Sequence, residues 1–521
     1  MKNITDILNQ YLPNRPSETC GNTVLVPTDT HTLEETVGAL MRSLPLVFMF
    51  ATNAEKKKSE FTLHYVFGVP GESVFIVPTL TLHNTKEFPS LAHTYPALAL
   101  YEREIMTMFG LVAVGHPDPR SLILHEENCP TDVHPLRKDF AWNTQVPPTQ
   151  SGTYHFNTVG GEGIYEIPVG PVHAGIIEPG HFRFSVAGEE IVSLEARLGW
   201  VHKGVEKLFE TLPLPQCVQL SERISGDSSF SHSLAFCEAL ETLTNTTVPE
   251  RAQYLRLVFA ELERITMHIF DIGNIAGNGA GFSVMAAQGF RITEELRRLH
   301  ESLCGSRFLR GINIPGGVAV DIDQESVAVL QQFLKNLKRD VTEVVDILKT
   351  SASFANRTKG TGVLPQQVAY DYHAVGIAAR CCGIAKDVRI EYPYAAYKKI
   401  VPKIALEHSG DVDARFHLRI TEVFESITLI EKALQSLPKG AVHKSLATLP
   451  DTGLAVAVVE GWRGEIAYAI AVEDGKISRV KVRDPAFIHW QLVSHLSSND
   501  MVPDFPLINK SFNLSYSGND L

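Results

Sequence analysis

Two short stretches, far apart in the chain, concentrate side chains that could bind a metal ion. The first runs from Glu222 to His232 and the second from Ser515 to Gly518. With their neighbours they supply hydroxyl and carboxylate oxygens and one imidazole, from Ser225, Asp227, Ser228, His232, Ser515 and Asp520. Hard oxygen donors suit Mg²⁺, and an added imidazole suits Zn²⁺. The alternative is an empty polar pocket with water and hydrogen-bonded hydroxyls.

His232 has two interpretations of its own. It follows Ser225 by seven residues, a spacing that would place both on one face of a helix, two turns apart. A histidine on such a face is either a ligand or a hydrogen-bonded core residue, and the sequence leaves both open.

The composition indicates a large folded protein. The chain has 521 residues, 44% of them hydrophobic, which predicts two to four domains at roughly 100–200 residues each. The net charge of −12, without a basic block, makes nucleic acid a poor partner. We expect no signal peptide and no membrane-spanning segment. The seven cysteines are scattered, as in a reducing cytoplasm, although Cys381 and Cys382 leave a redox pair as an alternative.

The elements that must position these residues predict an α+β protein. Residues 1–145 have the pattern of a small α/β domain, residues 146–165 are a polar linker, and residues 166–521 are mainly helical with small antiparallel sheets. The predicted helices are 32–44, 95–109, 200–210, 249–273, 286–304, 323–351, 366–382 and 413–436. The predicted strands are 44–50, 61–68, 73–82, 164–169, 181–186 and 189–194, and further strands fall within 454–482.

Three blocks of the first domain carry a family resemblance. They are YEREIMTMFG at 101–110, GHPDPR at 115–120 and HPLRKDF at 134–140. Together they resemble the small peripheral-arm subunit of respiratory complex I. The resemblance implies that their charged residues form a salt-bridged seam against the neighbouring large subunit, whereas the plain alternative is a solvated helix face. The residues concerned are Glu102, Arg103, Glu104, Arg120 and Arg137.

Further blocks extend the resemblance to the end of the chain. They are GPVH at 170–173, EPGHFR at 178–183, HKGVEK at 202–207, VPERAQ at 248–253 and RCCGIAKDVR at 380–389. With the two opening stretches they resemble the large subunit of group 4 membrane-bound [NiFe] hydrogenases, fused here to the small subunit. The resemblance is greatest to the energy-converting hydrogenase-related complexes, in which the nickel ligands are lost.

The four positions that carry thiolates in the hydrogenases hold no cysteine here. They are Ser225, Ser228, Ser515 and Gly518. A serine hydroxyl has a far higher pKa than a thiol and is a hard, weak donor, so it does not replace a thiolate at nickel. The resemblance therefore implies that this chain has no nickel–iron centre.

The same resemblance suggests which residues do chemistry. Glu206 matches the proton-relay glutamate and, with His232, is the predicted catalytic pair; a buried site would raise the pKa of its carboxyl. The alternative is an ion pair of Glu206 with Lys203 or Lys207. A quinone is a candidate cofactor near His173, His181, Arg183 and Arg223, although the family's second histidine falls near Pro179 and its tyrosine on Gly226.

The resemblance implies a peripheral-arm subunit of a complex related to NADH:quinone oxidoreductase, which couples electron transfer to proton or cation translocation. Its expected partners are an iron–sulphur subunit and antiporter-like membrane subunits, and its expected place is the cytoplasmic face of the membrane. The alternatives are a non-catalytic coupling scaffold and an oxidoreductase with an unknown substrate in the emptied pocket.

Overall fold

Apolar runs in the first part of the chain form a five-stranded sheet, in a computed structural model that describes residues 4–54, 59–149, 152–174, 177–496 and 500–521. The described strands are β1 Glu18–Cys20, β2 Thr23–Thr28, β3 Leu46–Asn53, β4 Glu60–Val69, β5 Val74–His83, β6 Glu87–Pro89, β7 Val112–Val114, β8 Ile164–Val169, β9 His181–Ala187, β10 Glu190–Arg197, β11 Asn313–Ile314, β12 Gly317–Val318, β13 Thr452–Glu460, β14 Glu465–Glu473 and β15 Lys476–Arg483. The five-stranded sheet has the order β1-β2-β5-β4-β3, in which only β2 and β5 are parallel.

Helices dominate the rest of the chain. The described α-helices are α1 Ile4–Tyr11, α2 Leu33–Met41, α3 Ala99–Phe109, α4 Val205–Phe209, α5 Leu214–Ser221, α6 Ser229–Leu243, α7 Glu250–Asn274, α8 Ser283–Cys304, α9 Gln324–Thr350, α10 Ala352–Thr358, α11 Gln366–Asp371, α12 Gly376–Arg380, α13 Val388–Glu391, α14 Val412–Gln435, α15 Pro485–Leu496, α16 Phe505–Phe512 and α17 Tyr516–Asp520. The buried α7 packs against α8 and α14, and α6 packs on β13 and β14. The predicted α+β class is confirmed.

Two helix predictions were wrong in detail. The predicted helix 366–382 is split into α11 and α12, because His373 has a φ of 52°, in the left-handed region. Ser225 is not on the helix of His232: it lies in the turn before α6, which begins at Ser229. The two residues therefore do not share a helix face.

The sheet of the first part contacts the meander β13-β14-β15 of the second. The Asn22 amide donates to the carbonyl of Val456 (2.7 Å) and accepts from its N–H (3.1 Å). The Arg479 guanidinium donates to the carbonyl of Ala51 at 3.3 Å. One hydrophobic cluster includes core residues of both parts, among them Phe48 and Tyr468. The domain boundaries at 145 and 166 stay a prediction.

The predicted charged seam is confirmed at two places. Glu104 of α3 accepts from the Lys481 ammonium of β15 at 2.5 Å, with both side chains buried. Arg120 bridges Asp118 and Glu195 of β10, both at 2.7 Å. Arg137 instead pairs locally with Asp139. Among the described residues, no helix combines the length and the apolar character that crossing a bilayer requires.

Candidate functional site

The three serines predicted to stand at former ligand positions converge in one cluster. Ser225 lies in the turn between α5 and α6, Ser228 directly precedes α6, and Ser515 directly precedes α17. The Ser225 hydroxyl donates to Oδ1 of Asp227 at 2.6 Å and lies 2.8 Å from Oγ of Ser515. Oγ of Ser515 accepts from the backbone N–H of Gly518 at 2.9 Å, which caps the start of α17. The hydroxyls therefore bond to one another and to protein groups.

An ion pair closes this cluster. The Arg463 guanidinium, from the β13–β14 turn, donates to both oxygens of Asp227 at 2.9 and 2.5 Å. It also stacks over the ring of Trp462, whose Nε1 donates to the Asp227 carbonyl at 2.9 Å. Burial alone would raise the pKa of Asp227, but Arg463 brings that pKa below its usual value. Asp227 is thus a carboxylate with its own counter-ion.

At Gly518, the fourth predicted position, a carboxylate occupies the space of a side chain. A Cβ atom on Gly518 would lie 2.6 Å from Cγ of Asp484, closer than real Cβ atoms approach other atoms. Asp484 is held there by Nε2 of His232 (3.0 Å) and by the N–H of Ala486 (2.8 Å). A side chain at position 518 would therefore require Asp484 to move.

His232 is a fully hydrogen-bonded core residue. Its Nδ1 lies 3.0 Å from the Tyr468 hydroxyl and its Nε2 3.0 Å from Oδ2 of Asp484, and the side chain is not exposed. Asp520 is not brought to the serine cluster, since its carboxylate accepts from the N–H of Val201 and lines a different cavity. In the described ranges, no group of three or more His, Cys, Asp or Glu side chains is arranged to hold a metal ion.

Glu206 lies in the seam between the two parts of the chain. Its carboxylate accepts from Arg479 (2.7 Å) and from the N–H of Val482 (2.9 Å), and Lys481 lies 3.4 Å away. Burial raises its pKa, but Arg479 and Lys481 outweigh burial, so the pKa of Glu206 is lowered. The expected raised pKa was wrong, and the ion pair is formed with Arg479 and Lys481 instead of Lys203 or Lys207.

A neighbouring carboxyl has the shift expected of Glu206. The pKa of Glu104 is raised, chiefly by burial, with Lys481 opposing and Glu206 adding to the rise. Glu104 and Glu206 both lie against the ammonium of Lys481, so protonation of one carboxyl affects the other.

The predicted quinone residues are only partly brought together. His173 and His181 each contact a carbonyl of the opposite segment. Nε2 of His173 lies 2.7 Å from the Gly180 carbonyl, and Nδ1 of His181 lies 3.2 Å from the Gly170 carbonyl. Arg183 pairs with Glu166 at 2.9 Å on the same hairpin. The Arg223 side chain is 54% exposed and bonds locally to the carbonyl of Gln219.

A polar cavity of about 220 Å³ adjoins the serine cluster. Its walls come from the loop at Glu178, the turn at Asp227, Arg463, α16 and the start of α17. Sequence reasoning missed Arg463, Asp484, Lys510 and Tyr516 as residues at or beside this pocket. The Trp462-Arg463 pair between Gly461 and Gly464, in a largely apolar hairpin, is a sequence signal for Arg463.

Cys381 and Cys382 are both free and buried, with their sulphur atoms 3.7 Å apart. Burial keeps both away from solvent. Their use as a redox pair stays a prediction.

Comparison with known families covers most of the chain. The model described as "Respiratory-chain NADH dehydrogenase, 30 Kd subunit" matches residues 26–146, and the model of the 49 Kd subunit matches residues 280–452 and 447–520. Formate hydrogenlyase subunit 5 of Escherichia coli is 32% identical over 91% of this chain and 84% of that protein. The C/D subunit of NADH-quinone oxidoreductase from Bacteroides fragilis is 30% identical over 77% of this chain and 79% of that protein.

A solved structure from a respiratory membrane complex is also similar to this chain. A chain of the membrane-bound sulfane sulfur reductase, described as an archaeal respiratory membrane complex, superposes with a TM-score of 0.65 and 26% identity. The superposition covers 69% of this chain and 99% of that one.

Proposed function

The chain belongs to the family of fused 30-kDa and 49-kDa peripheral-arm subunits of complex I and group 4 hydrogenases, and on that premise we propose that it serves a membrane-associated, energy-converting complex without a nickel–iron centre of its own. In that complex it would take part in coupling electron transfer to the translocation of protons or cations. The resident electron carriers would belong to a partner subunit.

The closed serine–aspartate–arginine cluster is the observation that carries this proposal. Nickel in such a site needs soft thiolates, whereas the positions here offer hydroxyls that already bond to Asp227 and to each other. Arg463 supplies the positive charge that a metal would otherwise bring next to Asp227. Asp484 fills the space of a fourth ligand. The donors present do not fit a nickel–iron centre.

The partners are proposed from the relatives. The similar proteins include a quinone oxidoreductase subunit, a hydrogenlyase subunit and a chain of a respiratory membrane complex. We infer an iron–sulphur subunit and antiporter-like membrane subunits as neighbours, with the chain on the cytoplasmic face. The seven cysteines of this chain are free and do not form the cluster that an iron–sulphur centre needs.

Proton handling is assigned to the seam unit Glu104–Lys481–Glu206. Glu206 alone is a poor proton acceptor near neutral pH, because Arg479 and Lys481 lower its pKa. A displacement of Lys481 would remove the shared counter-charge from both carboxyls and favour proton uptake. This arrangement supports a coupling scaffold, in which protonation of these carboxyls is linked to the contact between the two parts of the chain.

Quinone binding has one structural feature in its favour. Nε2 of His181 is buried without a hydrogen-bond partner among the described residues, and it can therefore donate to or accept from a ligand. Of the other candidates, His173 contacts a backbone carbonyl, Arg183 pairs with Glu166, and Arg223 lies at the surface. Quinone is accordingly a secondary proposal, and an oxidoreductase with another substrate in the polar cavity is the alternative to it.

Isolation of the complex tests the proposed assembly. An affinity-tagged chain, extracted from membranes in mild detergent, is expected to bring with it an iron-containing subunit and membrane subunits in fixed ratio. Iron content per chain and mass spectrometry of the co-isolated proteins are the readouts. Recovery of the chain by itself from the soluble fraction, without iron, would contradict the assembly.

A further inference from the structure

A second cavity, of about 360 Å³, lies where the two parts of the chain meet. Its walls come chiefly from α3 and residues 118–123 of the first part, from β10, and from one face of α15. It shares no lining residue with the polar cavity beside the serine cluster, and none of the four proposed quinone residues lines it. It is therefore a separate candidate for a ligand.

The charged residues of this cavity compensate one another. Three arginines and three carboxylates line it: Arg103, Arg120, Arg197, Asp118, Glu195 and Asp520. Asp118 pairs with Arg103 at 3.0 Å and with Arg120 at 2.7 Å, and Arg120 also pairs with Glu195 at 2.7 Å. Asp520 is buried and accepts from the N–H of Val201 (3.0 Å) and from the Asn519 amide (2.8 Å). The charges of the lining residues sum to zero, which matches a neutral ligand.

Two neutral polar side chains of α15 lie at the cavity without a protein partner. Phe487, Trp490, Gln491, Ser494 and His495 all line it, and their spacing places them on one face of the helix. The Gln491 carboxamide and the Ser494 hydroxyl make no hydrogen bond to the residues that the structure describes, and both side chains are half-buried. Since this face of α15 lines the cavity, these donors and acceptors are available to a ligand there.

Aromatic rings lie next to these free groups. Nε2 of His495 lies 3.1 Å from the Tyr372 hydroxyl, and the centres of the two rings are 5.1 Å apart. Both residues line the cavity, and Phe487 and Trp490 extend the same wall towards the core. Aromatic walls with a few polar groups are typical of sites for small ring compounds.

We propose that this cavity binds a neutral planar ring with a lactam edge, that is, a carbonyl next to an N–H. The Gln491 carboxamide has a donor and an acceptor in one plane, so it forms two parallel hydrogen bonds with such an edge. Ser494, three residues further along the same face, supplies another polar group. The volume lies in the range of small-molecule pockets, roughly 300–1,000 Å³. The inference goes beyond the proposed function and depends neither on the absence of nickel nor on assembly.

Uracil is the probe that tests the site, and N,N′-dimethyluracil is the matched compound. Methylation removes both N–H donors and keeps the ring and its carbonyls. The purified full-length chain is titrated with each compound by ligand-observed NMR and by the shift of its thermal midpoint. We expect saturable binding of uracil and a rise of the midpoint, because the ligand binds the folded state. Dimethyluracil is expected to bind at least about tenfold more weakly, because it leaves the Gln491 carbonyl unpaired.

Two variants assign the binding to this cavity. Gln491→Leu is expected to weaken uracil binding at least about tenfold and to remove the preference for uracil over dimethyluracil. Gln331→Leu, at an exposed position of α9, is expected to keep both. Equal binding of the two compounds by the wild type, the absence of saturation, or unchanged uracil binding in Gln491→Leu would each overturn the proposal. The comparison of the two compounds on the wild type does not depend on the folding of any variant.

Discussion

At the scale of single residues, the pocket is defined by the residues at the four positions that match the hydrogenase thiolates, Ser225, Ser228, Ser515 and Gly518. Ser225 and Ser228 donate to Asp227, Ser515 bonds to Ser225, and the fourth position is a glycine against Asp484. Because Asp484 also orients His232, any side chain at position 518 disturbs a buried pair as well as local packing. Position 518 is therefore restricted to glycine unless Asp484 moves.

Gly518→Ala measures that restriction. The new methyl group would collide with the Asp484 carboxylate, so we expect a loss of about 2 kcal/mol in the free energy of unfolding, typical of overpacking. Gly160→Ala is the matched control, since a Cβ there meets no atom within 4 Å. The urea midpoints of both variants are compared with that of the wild type. A Gly518→Ala midpoint equal to that of the control would show that Asp484 moves freely.

Glu206→Gln distinguishes a structural ion pair from a proton relay. The variant leaves Arg479 and Lys481 with one fewer buried anion, so we expect a loss of about 3 kcal/mol in stability, typical of a broken buried pair. Glu325→Gln, at an exposed position of α9, serves as control. Full stability together with loss of energy-coupled activity in the complex would instead favour the relay.

The sequence predicts the serine positions of this site but not the residues that pack against them. The motifs alone predict that positions 225, 228, 515 and 518 match the hydrogenase thiolates, and the sequence has no cysteine at any of them. The residues that fill the space, Arg463 and Asp484, belong to a hairpin and a strand end more than 200 residues from Asp227. No local pattern predicts such a contact, because it depends on how the β13-β14-β15 meander packs against α6.

At the scale of elements, the start of α6 depends on a carboxyl from α7. Glu263 accepts from the N–H groups of Phe230 (2.7 Å) and Ser231 (3.1 Å) and from the Ser231 hydroxyl. These are groups that a helix start leaves without partners. Burial raises the pKa of Glu263 to about 7, although the hydrogen bonds oppose the rise.

The raised pKa of Glu263 gives a testable pH dependence. The folded state binds this proton more tightly than the unfolded state, whose pKa is the ordinary 4.5. Its contribution to stability is full below pH 4.5 and is lost as the pH rises to about 7, by about 3 kcal/mol. We expect the stability of Glu263→Gln, relative to wild type, to increase over that range in urea unfolding. A difference that stays constant with pH would contradict the assigned shift.

The long periodic elements were the predictable ones. The helices around 249–273, 323–351 and 413–436 are present as α7, α9 and α14, because their apolar spacing is sustained over several turns. The short helices α15, α16 and α17 were missed. They are stabilised by packing around Trp490 and Tyr516, whose rings are 4.9 Å apart, and not by local periodicity.

At the scale of the whole molecule, the two predicted domains are joined by one hydrophobic cluster and by buried charge pairs. The connecting residues 152–160 lack regular structure but are tied down, since the Tyr154 hydroxyl and the Asn157 N–H both donate to Glu195. The two parts are thus held together by these contacts in addition to the linker.

Limited proteolysis examines this arrangement. We expect the first cut within residues 141–165, since most of the residues that the structure describes there are exposed, and we expect the two fragments to elute together. Most of their contact is buried and therefore insensitive to salt. Early cleavage inside 216–275, or separation of the nicked fragments in native buffer, would show that the boundary or the interface is misassigned.

The nickel content of the purified complex is the most direct test of the central claim. Elemental analysis per mole of chain, with a four-cysteine group 4 hydrogenase purified in parallel, separates a lost metal site from a metal lost during preparation. We predict far less than one nickel per chain here and close to one in the control. Stoichiometric nickel bound to this chain would contradict it.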